Sequence, residues 1–179
     1  MLAKNNKRDA WQKTISRSTF MRWWIYLLIG ILFGAFDFYY HRLVFDLLGG
    51  GLLWFVLSLG IWLAPILPVA LLEARTSRSA LRSALAGLLT WCASIVSYYL
   101  TNAVQLLLIG YPGRPELHIT RRGDPYFWEN WKSVLQGEII IEGGIFEWIW
   151  VAAAGGFAFG WAIGAVYLYG RKQGRHPHR

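Results

Sequence analysis

Five ionisable residues at the edges of two apolar stretches are the best candidates for chemistry in this sequence. Asp37, His41, Arg42 and Asp46 lie within ten residues of one another, and Glu147 lies at the start of a later apolar stretch. Charged groups are costly to bury in lipid, so an ionisable residue inside a membrane helix is a functional candidate by default. The five residues therefore predict a polar or ion-binding site near one face of a membrane.

The carboxylates of Asp37 and Glu147 are expected at similar depths. Asp37 lies about 22 Å along the first apolar helix, and Glu147 enters the last one from the same side, about one turn in. Two close buried carboxylates do not both ionise cheaply, so one would hold a proton or a cation would bridge them. The alternative is a local bond from Asp37 to His41 or Arg42, with the other carboxylate facing water. Arg42 and Asp46, four residues apart, could also form an ion pair.

The sequence carries no motif of a familiar catalytic centre. It lacks a P-loop, a GxSxG elbow, an HExxH pair and a Gly-rich dinucleotide fingerprint, so catalytic activity is not favoured. Asp37 and His41 share a helical face, but two ligands do not make a metal site. His41 could ligate a haem or a chlorin, yet the only other histidine outside the C-terminal tail is His118, so no cofactor is expected.

Long apolar stretches place these residues in a membrane bundle. The chain is 55% hydrophobic and only 16% charged, whereas a soluble domain carries about 25% charged residues. A helix needs about 20 apolar residues to cross a bilayer. Four stretches are of this order: residues 23–40, 50–72, 83–109 and 145–169. The predicted fold is an all-α integral membrane bundle of four transmembrane helices, with a kink near Pro65 and Pro68 in the second.

The segment between the third and fourth stretches, residues 111–144, is expected to carry a short helix. Asp124 and Pro125 are typical of a helix start. The apolar residues that follow fall on one helical face, which is typical of an amphipathic helix lying in the membrane interface. The sequence predicts such an interfacial helix at 125–136, and a lid or docking surface is the alternative.

Basic residues predict the orientation of the bundle. Thirteen Lys and Arg residues lie in the N-terminal tail (1–22), the loop after the second stretch and the C-terminal tail (170–179), and five lie on the other side. The positive-inside rule then puts both tails in the cytoplasm of a multi-pass cell-membrane protein and residues 111–144 outside. The net charge of +8 is thereby assigned to flanks beside anionic lipid. The expected partner is the lipid bilayer, and a nucleic-acid partner is not expected.

Small residues at regular spacing predict which helices pack closely. They recur every four positions in the first and last stretches: Gly30, Gly34, Ala152, Gly156, Gly160 and Gly164. In lipid, helix association depends on close backbone contact, which small residues permit. We therefore expect these two helices to pack against each other, and contact with another subunit is the competing interpretation.

The third stretch carries one face of small and polar residues: Thr90, Ser94, Ser97, Thr101 and Gln105, with Asn102 beside it. Steps of three and four residues place them on one side of a helix. Because most are small hydroxyl residues rather than ionisable ones, we favour an inward packing stripe with interhelical hydrogen bonds. The alternative is the polar lining of a pathway or a ligand pocket.

Three functions are compatible with these features. The favoured one is a non-catalytic accessory or assembly subunit of a membrane complex, because packing residues are plentiful and catalytic motifs are absent. Its partners would be other membrane subunits or a second copy of the chain. The second is a small dimeric transporter in which Asp37 and Glu147 couple transport to protons or cations. The third is a membrane enzyme that uses the acids near Arg42.

Overall fold

The structure, a computed structural model, describes residues 2–49, 51–111 and 113–173, with side chains from residue 19 onward except at 59. The described residues form six α-helices: α1 Leu2–Leu48, α2 Leu52–Gly60, α3 Leu63–Ser77, α4 Ala80–Leu108, α5 Phe127–Val134 and α6 Ile145–Gln173. Short 3-10 turns at Pro115–Leu117 and Ile119–Arg121 precede α5, and π-helical turns at Leu135–Ile141 follow it. No β-strand occurs within these ranges, so the predicted all-α class is confirmed.

Four helical stretches are long and apolar enough to cross a membrane: Thr19–Leu48, Leu52–Ser77, Ala80–Leu108 and Phe127–Gln173. They match the four predicted stretches, with shifted ends. The first helix begins at Leu2 rather than at 23, because residues 2–22 contain no Gly or Pro to stop it. The last helix continues to Gln173, and the remainder of the predicted C-terminal tail, residues 174–179, lies outside the described residues.

The second apolar stretch is broken into α2 and α3 at Ile61 and Trp62. The helix break lies about one turn before Pro65, and Pro68 lies inside α3. Pro65 occupies the first turn of α3, where its missing N–H has no intrahelical partner to lose. Across the break the hydrogen bonding tightens to a three-residue step, with the Ala64 N–H donating to the Ile61 carbonyl over 2.9 Å.

Helix α4 is the centre of the bundle, since α1, α3 and α6 all pack against it. We call the two ends of the bundle the loop end and the terminal end. The loop end holds Leu48, Leu108 and the residues that follow α4, and the terminal end holds Arg22 and Ser77. The expectation that the first and last apolar helices pack on each other through their small residues is wrong. Each packs those residues on α4, because α4 has its own row of small residues, including Gly87, that admits a neighbouring backbone.

The regularly spaced glycines of α1 and α6 approach α4 so closely that an added Cβ would not fit without a shift. A Cβ placed on Gly30 would lie 2.5 Å from the Thr90 carbonyl oxygen, and one on Gly34 would overlap the Ser94 carbonyl. At Gly160 it would lie 2.6 Å from the carbonyl oxygen of Ser83. Gly164 meets the side chain of Ser83 and the backbone of Ala80, and Ala152 is buried.

The polar face of α4 forms interhelical hydrogen bonds. The Ser94 hydroxyl donates to the Gly30 carbonyl over 3.1 Å, and the Ser97 hydroxyl donates to the Ile31 carbonyl over 2.6 Å. The Ser83 hydroxyl lies 2.8 Å from the Ala70 carbonyl of α3 and 2.9 Å from the Gly160 carbonyl of α6, and the two oxygens share its single proton. These bonds satisfy the hydroxyl groups inside the bundle, as the packing-stripe interpretation predicts.

Residues 127–141, which we call the cap, cover the loop end of α4. The predicted short helix is present as α5, but helical turns continue beyond Gly137 to Ile141. Its apolar face, with buried Phe127 and Val134, packs on the protein. Val134 belongs to a cluster with Ala103, Leu106, Leu117 and Ile139, against which Trp131 and Leu135 also pack. The cap is therefore held by α4 itself, whether or not lipid also touches it.

We expect Trp131→Phe to loosen this cap. The Trp131 indole N–H donates to the Ala103 carbonyl over 3.1 Å, and losing one such bond costs about 1 kcal/mol. Amide exchange in residues 127–141 should accelerate several-fold, as measured by hydrogen–deuterium mass spectrometry in lipid nanodiscs. Trp128→Phe is the matched control, because Trp128 is 53% exposed. Equal exchange in the two variants would show that the indole bond does not hold the cap.

Candidate functional site

Asp37 is the most isolated buried charge that the structure describes. It lies on the inner side of α1 and is 1% exposed. Neither carboxylate oxygen has a hydrogen-bond partner among the described residues. The expected local bond to His41 or Arg42 is therefore wrong. Burying a carboxylate in this way is costly unless a proton or a cation accompanies it.

Asp37 lines a cavity of about 870 Å³ between the helices. All four apolar stretches contribute to its wall. Nearly half of its lining residues are Phe, Tyr or Trp: Trp54, Phe55, Trp62, Trp91, Tyr98, Tyr99, Trp148 and Phe159. The break between α2 and α3 also borders the cavity, through Gly60 and Trp62. An aromatic cavity with one carboxylate thus lies between the helices, and it is open on the side where Phe55, Trp148 and Phe159 are exposed.

Two further polar groups in this cavity wall are buried without partners. The Trp54 indole N–H and the Ser58 hydroxyl form no hydrogen bond among the described residues. They are four residues apart on α2, hence on one helical face, and both line the same cavity as Asp37. Buried polar groups are normally hydrogen-bonded. Three unsatisfied side chains around one cavity make it the candidate site for a polar ligand.

His41 stands where this cavity meets a second one. Its ring makes an edge contact with Trp54, at 5.1 Å between centroids, and another with Tyr98 at 6.3 Å. His41, Tyr98 and Tyr99 line both cavities. These three rings therefore form the partition between the two spaces.

The second cavity, which we call the vestibule, is polar and lies at the loop end. It measures about 680 Å³. Its charged and amide-bearing lining residues come from α1, α4 and the segment after α4: Arg42, Asp46, Asn102, Gln105, Arg114, Glu138 and Glu142. Arg114 and Glu138 form an ion pair. Because its lining carries charged groups of both signs, the vestibule can hold water and ions.

Arg42 and Asp46 do not form the ion pair that their spacing allows, although α1 continues past both. The guanidinium of Arg42 lies over the ring of Tyr111 instead, 5.4 Å from its centroid. Tyr111 follows α4, so this cation–π contact ties the loop ends of α1 and α4 together. Asp46 remains a vestibule residue without an ion pair in the described part of the chain.

Glu147 does not join Asp37. It lies in the first turn of α6 and is exposed, whereas Asp37 is buried, and no hydrogen bond connects them. Its nearest described surroundings include Gly143 in the turn before α6. The predicted pair of carboxylates therefore reduces to one buried acid, Asp37.

The remaining polar residues of α4 divide into two groups. Thr90 and Thr101 donate to carbonyls one turn earlier in α4, over 2.9 and 2.7 Å, and so serve packing together with Ser94 and Ser97. Asn102 and Gln105 face the vestibule, and the Gln105 side-chain carbonyl accepts from the Tyr39 hydroxyl over 3.2 Å. Ser97, Thr101 and Gln105 also border a third pocket, of about 590 Å³, so the pocket-lining interpretation applies to these residues and to Asn102, but not to the buried Thr90 and Ser94.

Sequence reasoning missed a second buried acid, Glu73, at the terminal end. Glu73 is 0% exposed; it accepts a hydrogen bond from the Tyr26 hydroxyl over 2.9 Å, and the Arg22 guanidinium lies 3.4 Å away. Arg22 also donates to Thr76. The predicted second stretch ended at residue 72, which put Glu73 in a loop. The signal that could have found it is the opposite charge of Arg22 at the same end of the adjacent helix.

The two buried acids are arranged for different chemistry. Glu73 is neutralised by Arg22 and bonded to Tyr26, so it serves structure. Asp37 has no such partner and faces an aromatic cavity beside a polar vestibule, so it can bind a cation or a proton. Comparison with protein-family models, with curated proteins and with solved structures finds no match for this chain. The chain is an all-helical protein with four helices long and apolar enough to span a membrane.

Proposed function

We propose that the protein is a small membrane transporter in which Asp37 is the carboxylate that binds a cation in exchange for a proton. The observation that carries the proposal is the Asp37 carboxylate itself, 1% exposed and unpartnered in a cavity between four apolar helices. An ionisable group in such a place is costly, and its usual use is an ion or substrate pathway. The accessory-subunit hypothesis rests on the sequence features alone, so the geometry favours the transporter.

The broken helix beside Asp37 supports cation binding. The C-terminal end of α2, at Gly60, borders the cavity. Carbonyl groups at a helix C-terminus carry partial negative charge and favour a cation. Interrupted membrane helices place such ends near the middle of transporters. Asp37 and the end of α2 would then act on the same ion.

The two ends of the bundle suggest how access is controlled. At the loop end, the vestibule reaches the partition formed by His41, Tyr98 and Tyr99. At the terminal end, the Arg22–Glu73 ion pair joins α1 to α3. We infer that this ion pair holds the terminal end closed, and alternating access then requires it to open. With the orientation predicted from Lys and Arg, the vestibule faces outside and both chain ends face the cytoplasm.

Exchange at Asp37 makes transport depend on pH. The titratable side chains that line its cavity are His41 on α1 and Tyr98 and Tyr99 on α4, while the lining residues of α2, α3 and α6 carry none. A proton and a cation compete for one carboxylate, so cation binding weakens as pH falls and releases a proton when it occurs. Glu147 lies outside this competition because it is exposed.

Proton counter-movement in lipid vesicles tests the proposal. The purified protein is reconstituted into vesicles with an acidic lumen that contains pyranine, which reports internal pH. Sodium, potassium or benzyltrimethylammonium is then added outside. At least one of these cations should raise the internal pH, and Asp37→Asn should lower the initial rate at least tenfold. Glu147→Gln, the matched carboxylate control, should keep the wild-type rate.

Two results would overturn the transporter. One is the absence of a proton response to all three cations while circular dichroism shows folded protein. The other is an equal response in wild type and Asp37→Asn, which would mean that the proton moves elsewhere. Asp37→Glu is the second variant at this position. Because it keeps the charge, it should retain a measurable rate, which would show that a substitution at position 37 does not by itself unfold the protein.

A further inference from the structure

We propose that the cavity around Asp37 takes a monovalent organic ammonium ion with an apolar body. This deepens the transporter proposal and rests on it, because it uses the same carboxylate. It adds the class of substrate, which the presence of a buried acid alone does not specify.

The charge of the lining residues determines which ligand charge the cavity can bind. Asp37 is the only carboxylate in the lining, and His41 is the only other lining residue that could carry charge near neutral pH. Buried charges are stable when they are paired. One carboxylate pairs one positive charge, so a monovalent cation fits, and a divalent ion would be left half neutralised.

The donor groups of the cavity do not suit an inorganic ion. Calcium takes six to eight oxygen ligands and magnesium demands octahedral coordination. Among residues 2–49, 51–111 and 113–173, no group of three or more His, Cys, Asp and Glu side chains comes together to hold a metal ion. In the cavity itself the side-chain oxygen ligands beside Asp37 are the Ser58 hydroxyl and the phenols of Tyr98 and Tyr99, and the carbonyl end of α2 at Gly60 adds only partial charge. An inorganic ion would lose most of its hydration shell with little in exchange.

The aromatic wall suits an alkylated ammonium instead. Trp91 stands between Trp62 and Phe159, with ring centroids 5.5 and 6.3 Å apart and interplanar angles of 40° and 38°. These tilted rings form one continuous wall. Aromatic faces attract a cation within about 6 Å of the ring centroid, and alkylated ammonium ions are bound in this way. An ammonium with methyl or aryl groups offers weakly hydrated charge to Asp37 and apolar surface to the rings.

The volume of the cavity agrees with an organic guest. It measures about 870 Å³, and sites for drug-sized ligands occupy roughly 300–1,000 Å³. A single inorganic ion would leave most of that space to be filled otherwise. The vestibule at the loop end supplies a polar approach, and the rings of Tyr98 and Tyr99 continue the aromatic surface from one cavity to the other.

Direct binding to the whole protein in lipid nanodiscs tests the substrate class. The probe is radiolabelled benzyltrimethylammonium, measured by equilibrium dialysis at constant pH. We expect saturable binding that tetraethylammonium displaces, that a hundredfold excess of sodium does not displace, and that Asp37→Asn weakens at least tenfold. Neopentylbenzene, in which carbon replaces the ammonium nitrogen, should not compete.

Tryptophan variants test the wall. Trp91→Leu and Trp62→Leu should each weaken binding at least fivefold, and both are assayed because Trp91 also packs against Gly155 in α6. Trp150→Leu is the matched control, since Trp150 is 66% exposed and lies outside the cavity lining. Two folded wall variants with wild-type affinity would overturn the proposed binding surface.

The outcomes separate this inference from the transporter proposal. If sodium or potassium gives an Asp37-dependent proton response and benzyltrimethylammonium does not bind, the substrate class is wrong and the transporter remains. If benzyltrimethylammonium binds with unchanged affinity to Asp37→Asn, the carboxylate has no role in recognition and the inference is wrong. Asp37-dependent binding and proton release by the organic cation would support both.

Discussion

Arg22→Ala is expected to destabilise the bundle by about 3 kcal/mol or more, because it leaves a buried carboxylate without its cation. Glu73 is 0% exposed, and the Arg22 guanidinium lies 3.4 Å from its Oε2 atom. The Tyr26 hydroxyl donates to the same oxygen but cannot neutralise its charge. A change of this size lowers the folded-to-unfolded ratio more than a hundredfold. The measurement is the free energy of unfolding in mixed micelles, followed by circular dichroism as dodecyl sulfate is added.

A rescue variant distinguishes the charge from general loss of packing. Glu73→Gln in the Arg22→Ala background removes the unpaired charge, so it should recover at least half of the lost stability. Arg171→Ala is the control at the same end of the bundle, and because Arg171 is exposed its effect should stay within about 0.5 kcal/mol. If Arg22→Ala and Arg171→Ala unfold together, the buried ion pair does not stabilise this end.

Gly156→Leu is expected to separate α6 from α4 and to cost about 3 kcal/mol, at the upper end for overpacking. A Cβ on Gly156 would lie 2.8 Å from the Gly87 carbonyl oxygen and 2.9 Å from Leu88 Cα. These are backbone atoms, so the helices themselves must move. The free energy of unfolding in mixed micelles again measures the effect, and tryptophan emission should shift as Trp91 loses its contact with α6.

Gly170→Leu is the matched control for this variant. Gly170 lies in the same helix, but a Cβ there would meet nothing within 4 Å. Replacing glycine in a helix otherwise favours the helix slightly, so this variant should be as stable as wild type or more so. Equal destabilisation by the two substitutions would mean that close approach at Gly156 does not hold α6 in place.

The sequence predicts the all-helical class and singles out Asp37 as an acid within an apolar helix, but it does not predict which groups surround that acid. Apolar length alone reveals the four long helices, and an acid inside one of them is conspicuous. Which groups bond to that acid depends on side-chain direction and on neighbours far away in the chain. His41 and Arg42 are each close enough in sequence to bond to Asp37. The His41 ring contacts Trp54 instead, and the Arg42 guanidinium lies over Tyr111.

The prediction that α1 and α6 pack on each other is wrong for a related reason. Gly34 and Gly156 indicate that a backbone comes close, and they do not say which backbone. The complementary signal was present in α4, where Gly87 and the small hydroxyl residues lie on one face. Taken alone, this face of α4 indicates a packing surface, and it does not indicate that α1 and α6 both pack there.

The aromatic cavity lay beyond sequence reasoning altogether. Its rings come from positions as distant as Trp54, Trp91 and Trp148, and the chain holds 11 Trp in all. Most of these could equally have faced outward, as the exposed Trp150 and Trp161 do. Only the relative rotation of the helices, fixed by packing, decides which rings meet.

The shared row on α4 has a consequence for how this sequence tolerates change. Ser83 and Gly87 meet the backbone of α6, and Thr90 and Ser94 meet that of α1, along one continuous row. A bulky replacement would therefore displace one neighbour, and because both neighbours are seated on the same helix, a compensating shift of α4 would disturb the other. Mutational scanning should accordingly find this row far less permissive than the outward faces of the same helices, and drift in this protein should be confined to the side that lipid would wet.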